Sequence, residues 1–144
     1  MGHTTLPEPA KAVANYVPFV QTGAMVHVSG QLSNDASGGV KGTVGVDVTP
    51  DQANAAARLC GINLLAQIKA ACDGDLNRVV RIVKLGGFVQ AGPEFEAIPA
   101  VINGCSDLMV EVFGDAGRHA RSAVGVYKLP LGFAVEVDAI VEIR

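Results

Sequence analysis

Between Pro50 and Ala71 the apolar residues fall at spacings of three and four: Ala53, Ala56, Ala57, Cys60, Leu64, Ile68 and Ala71. That period lays a narrow apolar stripe along one helix, and its small side chains suit a close approach to a sheet. The helix has a start signal in Thr49-Pro50-Asp51-Gln52, a capping box with proline in the first turn, and a stop in Asp73-Gly74. From Leu76 to Gln90 the period changes. The stretch Val79-Val80-Arg81-Ile82-Val83-Lys84-Leu85 is apolar on both parities, which predicts an inner strand. Upstream, Tyr16 to Gln21 and Ala24 to Gln31 flank Thr22-Gly23 and predict a hairpin. Downstream, Ala91-Gly92-Pro93 ends the inner strand, and a second helical region runs from about residue 94 to Phe113. Pro99 and Asn103-Gly104 predict that it is broken, with the second piece capped by Ser106 and closed by Gly114.

The chain from Gly117 to Arg144 holds two alternating β-rich runs around Leu129-Pro130-Leu131-Gly132, a pattern that predicts a second hairpin. With the turn centred between Pro130 and Leu131, Arg121 faces Ile140 and Gly125 faces Glu136. Arg121, Ala123, Gly125, Tyr127, Glu136 and Asp138 then share one face, and the apolar set around Val124, Val126, Val135 and Val137 takes the other. The order of two strands, helix, strand, helix, two strands predicts an α+β fold, with both helices on one face of a mixed sheet. No repeat or linker interrupts it, so residues 1–144 are expected to form one domain, with 1–14 as an N-terminal arm.

Composition adds a partner to this picture. With 49% hydrophobic and 17% charged residues, and a mean hydropathy of +0.34, the surface of so small a chain is expected to meet another subunit. No apolar run approaches the eighteen or so residues of a membrane span, and Met1-Gly2-His3-Thr4-Thr5 lacks the regions of a signal peptide. The expectation is a cytoplasmic protein that does not engage a membrane. Cys60, Cys72 and Cys105 form no CxxC pair, so neither a disulfide framework nor a metal site is expected. A formal charge of -3 offers no basic footprint for nucleic acid. The glycine-rich loop from Ser33 to Gly42 matches no nucleotide-binding fingerprint, and no cofactor is called for.

Arg121 beside small residues can offer a planar fork to a carboxylate, and Glu136 can manage a proton or a water. Spacing alone favours a surface ion pair on a solvent-open strand face, the commoner arrangement. His27 reads as a structural histidine.

Resemblance adds to these residues. Arg121-Ser122-Ala123-Val124-Gly125-Val126, Leu129-Pro130 and Val135-Glu136-Val137-Asp138-Ala139 resemble the C-terminal signature of the YjgF/RidA family. Asn15-Tyr16 and Val26-His27-Val28-Ser29-Gly30-Gln31 resemble its upstream Pro-Tyr segment and its strand ending in Ser-Gly-Gln. The resemblance implies a chorismate-mutase-like fold, a homotrimer with a barrel-like core, and a cleft at each subunit boundary. It implies hydrolysis of a small 2-imino or enamino acid, with Arg121 anchoring the carboxylate and Glu136 activating water. Tyr16, Gly30, Gln31 and Ala123 would line that cleft. Ala123 stands where the family often has cysteine, Val17 where it has serine, and Pro99 replaces an asparagine. The run Asn103-Gly104-Cys105-Ser106-Asp107 with Gly117-Arg118-His119 resembles a divergent branch. Two further readings stand beside deamination: a non-catalytic trimer that binds a small carboxylate or a protein, and the ribonuclease of the older family label. The acidic balance and the lack of paired histidines weigh against the ribonuclease.

Overall fold

The computed structural model describes residues 5–12 and 14–144. The elements follow the hydrophobic pattern: β1 (Phe19–Thr22), β2 (Met25–Leu32), α1 (Pro50–Ala71), β3 (Val79–Gln90), α2 (Ile98–Phe113), β4 (Ala120–Val126) and β5 (Val135–Ile143). One mixed sheet carries them in the order β1-β2-β5-β3-β4, antiparallel throughout except for the parallel pair β3 and β4. The fold is therefore α+β, with two helices on one face of a five-stranded sheet. Of the expected N-terminal arm, residues 1–4 and 13 lie outside the described residues. Leu6 packs on the core, and the Ala10 carbonyl accepts from Gln67 Nε2 at 2.8 Å.

Helix α1 starts as its sequence dictates. Thr49 Oγ1 accepts from the Gln52 amide at 3.2 Å, and Gln52 Oε1 accepts from the Thr49 amide at 2.9 Å. Its buried stripe, with Leu64, Leu65 and Ile68, shares one core with Val26, Ile82, Leu85, Val137 and Val141 of the sheet. Each such side chain contributes roughly 1.5–3 kcal/mol when fully buried.

Helix α2 corrects the expectation of a broken element. It runs unbroken from Ile98 to Phe113, with Pro99 accommodated in its first turn and no side-chain cap. Gly104 is not a breaker. A Cβ there would run into the backbone carbonyl of Asn54, so this glycine lets the backbones of α1 and α2 approach closely. Ser106 consequently lies inside the helix and not at its cap.

The C-terminal hairpin is also corrected. Strand β5 pairs with β2 and β3, and β3 separates it from β4. The Pro130–Gly132 turn is present, with positive φ at Leu131 and Gly132, and it reverses the chain. It also steps across one strand. The apolar β3 takes the inner position that its composition requires, and Gln90 at its end holds the crossover. Gln90 is buried; its Oε1 accepts from the Leu129 amide at 2.8 Å and its Nε2 donates to the Gly42 carbonyl at 2.9 Å. Arg121 thus aligns with Leu85 and through it with Ala139, while Glu136 aligns with Phe88 and Leu32.

Candidate functional site

This register puts the two candidate groups on opposite faces. Leu85 and Ala139, in the same row as Arg121, are buried under the helices, so the arginine points to the helix side. Glu136 lies between buried Val135 and Val137 and points to the uncovered side. The shared face expected from a simple hairpin does not exist. Two strand spacings and three residues separate them, roughly 14 Å on ideal sheet geometry, with the sheet between them.

On the helix side, Arg121 is held by α2. Its Nη1 donates to Asn103 Oδ1 at 2.8 Å and to Ser106 Oγ at 3.1 Å. Among the described residues, Nε and Nη2 have no hydrogen-bond partner and Arg121 makes no ion pair, so the side-on fork stays available. This corrects the alternative of a surface salt bridge. Ala123, two residues on, faces the same side and packs against the core. Beyond Ser106 stands His119, with Nε2 2.9 Å from the serine oxygen.

On the uncovered side, the Ser29-Gly30 step forms a bulge in the pairing of β2 with β5. Bulges re-aim side chains, and here the irregularity lies directly beside Glu136. A Cβ on Gly30 would run into the Glu136 carboxylate, so the glycine makes room for the acid. A groove of about 810 Å³ opens there, lined by Tyr16, Ser29, Gly30, Leu131 and Glu136 among others. Tyr16 is 50% exposed and Leu131 72%, a large apolar rim for one chain. Gln31 is buried instead; its Nε2 donates to the Ser29 carbonyl at 3.1 Å, supporting the bulge from behind. Burial raises the Glu136 carboxyl above its ordinary range, and the nearby Asp138 charge adds to the effect. Burial also raises Asp138, against the Gly86 amide and Lys84, which lower it.

The thiols are poor nucleophiles. Burial pushes Cys105 up to about 12, opposed by the Arg121 charge, and holds Cys60 well above the ordinary thiol value. No group of His, Cys, Asp and Glu among the described residues could hold a metal ion. None of the described helices is long and apolar enough to cross a membrane. The sequence marks Asn103 only as part of a helix break and Ser106 only as a helix cap, and gives His119 no role at the site; sequence separation hides their contact with Arg121.

A family profile described as "YjgF/chorismate mutase-like, putative endoribonuclease" matches residues 2–142. The chain is 50% identical over 141 residues to Protein TCP17 of Trypanosoma cruzi, covering 96% of this chain and 88% of that protein. The crystal structure of a protein of unknown function from Agrobacterium tumefaciens superposes with a TM-score of 0.92 at 50% identity, covering 98% of this chain and 87% of that one. E. coli TdcF, crystallised with bound serine, superposes with a TM-score of 0.65 at 25% identity over 99% of both chains.

Proposed function

Because the chain belongs to the YjgF/chorismate mutase-like family, we propose that it hydrolyses small 2-imino or enamino acids in a cleft shared by two copies of itself within a homotrimer. The observation that carries this reading is the split of the machinery. The arginine fork, steadied by Asn103 and Ser106, stands on one face, and the acid with its groove stands on the other. One protomer cannot bring both to one small molecule, whereas a neighbour that presents its uncovered face to the edge strand β4 can. Exposed Val20 and Val124 on that open face, with Tyr16 and Leu131 at the groove, supply apolar surface for such a contact.

In this cleft the Arg121 fork holds the substrate carboxylate through Nε and Nη2. Glu136 of the neighbouring copy takes a proton from water as the oxygen bonds to the imine carbon. The nitrogen takes that proton from Glu136 and a second from the new hydroxyl as its oxygen forms the carbonyl, the C–N bond breaks, and a 2-oxo acid and ammonia leave. A carboxyl raised by burial is suited to this exchange, because its proton affinity lies closer to neutrality. The serine bound in the TdcF crystal supports a ligand of amino-acid size bearing a carboxylate.

The test is an assay with enzymatically generated 2-iminopropionate and 2-iminobutyrate. Wild type accelerates hydrolysis; Arg121→Ala and Glu136→Gln abolish the acceleration. Glu136→Gln keeps 2-oxo acid binding nearly intact, since the amide preserves shape but does not take up the proton. Wild type without turnover, but with 2-oxo acids binding at Arg121, would favour the non-catalytic carboxylate-binding reading.

A further inference from the structure

Arg121 leads to a second arrangement that the imine reaction does not use. His119 Nδ1 is 2.6 Å from the Gly117 carbonyl oxygen, and its Nε2 is 2.9 Å from Ser106 Oγ. The partners fix the roles. A carbonyl only accepts, so Nδ1 carries the hydrogen and Nε2 of the neutral ring is an acceptor. A guanidinium only donates, so Ser106 accepts from Arg121 at 3.1 Å and turns its own hydrogen toward Nε2.

The result is a hydroxyl, a base and an orienting group in line, the geometry of an activated serine. The orienting group is a backbone carbonyl where a carboxylate often stands. Arg121 lies against the oxygen that would become negative. Asn103 is one helical turn before Ser106, and among the described residues its Nδ2 has no hydrogen-bond partner, leaving a donor beside the serine. Ser106, His119 and Arg121 are half-buried and Asn103 is exposed, so a small molecule can reach them. The adjacent Cys105 is fully buried and offers no competing nucleophile.

We propose that Ser106 is a nucleophile with His119 as its base, in a site that takes small esters bearing a carboxylate. Ser106 Oγ bonds to the acyl carbon as its proton passes to His119 Nε2. The bond to the alcohol oxygen breaks, and the alcohol leaves with the proton from Nε2. Water then bonds to the acyl carbon and gives a proton to Nε2, and Ser106 departs as it recovers that proton. The net change is ester plus water to acid plus alcohol. The choice of a carboxylate-bearing ester rests on Arg121 as the anchor proposed above; the serine chemistry needs neither Glu136 nor an imine.

The full chain is treated with an alkyl fluorophosphonate and mapped by peptide mass, and 4-nitrophenyl hemisuccinate is compared with uncharged 4-nitrophenyl butyrate as a substrate. The expected result is one adduct, on Ser106. His119→Ala slows its formation by about a hundredfold, within the usual range for a lost general base. The charged ester reacts about tenfold faster or better, the least that a charge-assisted hydrogen bond implies. Ser122→Ala, on the far face of β4, reacts as wild type does. No adduct on folded wild type, an adduct elsewhere, or labelling as fast in His119→Ala as in wild type overturns the nucleophile. Labelling with no preference for the charged ester overturns the substrate class. Where His119→Ala does not fold, the wild-type peptide map decides. Imine turnover is read on the same samples: turnover without labelling sinks this proposal alone, and labelling without turnover sinks the imine reading alone.

Discussion

Glu136 lies over Gly30, and what the glycine omits can be tested directly. The atoms that a Gly30 methyl would meet belong to the end of the Glu136 side chain, which can swing away. Gly30→Ala should therefore leave the thermal midpoint within a few degrees of wild type while removing Glu136-dependent turnover; an unchanged rate would detach the glycine from the site. At the other half, Arg121→Lys keeps the charge and loses the fork, and calorimetry should find 2-oxo acid binding weaker by about 1.5–3 kcal/mol. The raised carboxyls give a pH signature. A folded-state pKa above the ordinary values, 4.5 for glutamate and 3.8 for aspartate, means that the folded chain holds those protons more tightly than the unfolded chain. The stabilisation is complete below these values and is lost as pH rises through the raised ones. Urea unfolding should find Glu136→Gln gaining stability relative to wild type as pH rises across that window; a difference that is flat with pH would remove the argument. Arg121, Glu136, Tyr16 and Gly30 were legible because their chemistry or their motif marks them. Ser106 and His119 were not, because only the run of α2 into β4 closes the distance between them.

At the scale of elements, Gly104 shows why a residue preference misleads. In an exposed helix, glycine to alanine gains up to about 1 kcal/mol. Here the added methyl meets the Asn54 carbonyl, which belongs to a backbone and cannot swing away. Gly104→Ala should cost on the order of 1–3 kcal/mol in chemical unfolding, the usual range for overpacking; a gain in stability would mean that α1 and α2 slide apart freely. The same interface explains why the sequence predicts a broken α2: the pattern does not distinguish a helix breaker from a helix contact. The elements themselves were legible from period and punctuation, including the capping box of α1 and the inner character of β3. Sheet order was not. The turn at Pro130–Gly132 reverses the chain, but whether the returning strand lies beside β4 or beyond β3 depends on which strand most needs cover on both faces, and that is a property of the whole sheet.

At the scale of the molecule, the proposed assembly uses the uncovered sheet face and its exposed apolar residues as contacts between copies of the same chain. Sedimentation at micromolar concentration should give about three times the 14.8 kDa of the chain, and a monomer would leave each half-site alone. The central claim is that Arg121 of one copy works with Glu136 of another. Co-expression of Arg121→Ala and Glu136→Gln chains tests it, because a mixed assembly contains boundaries where an intact arginine meets an intact glutamate. With equal mixing of two chains about one boundary in four is intact, as follows for a ring of head-to-tail contacts. Mixed assemblies should therefore recover about a quarter of wild-type imine hydrolysis from two inactive parents; mixtures as inactive as both parents, beside an active wild type, would contradict the shared cleft.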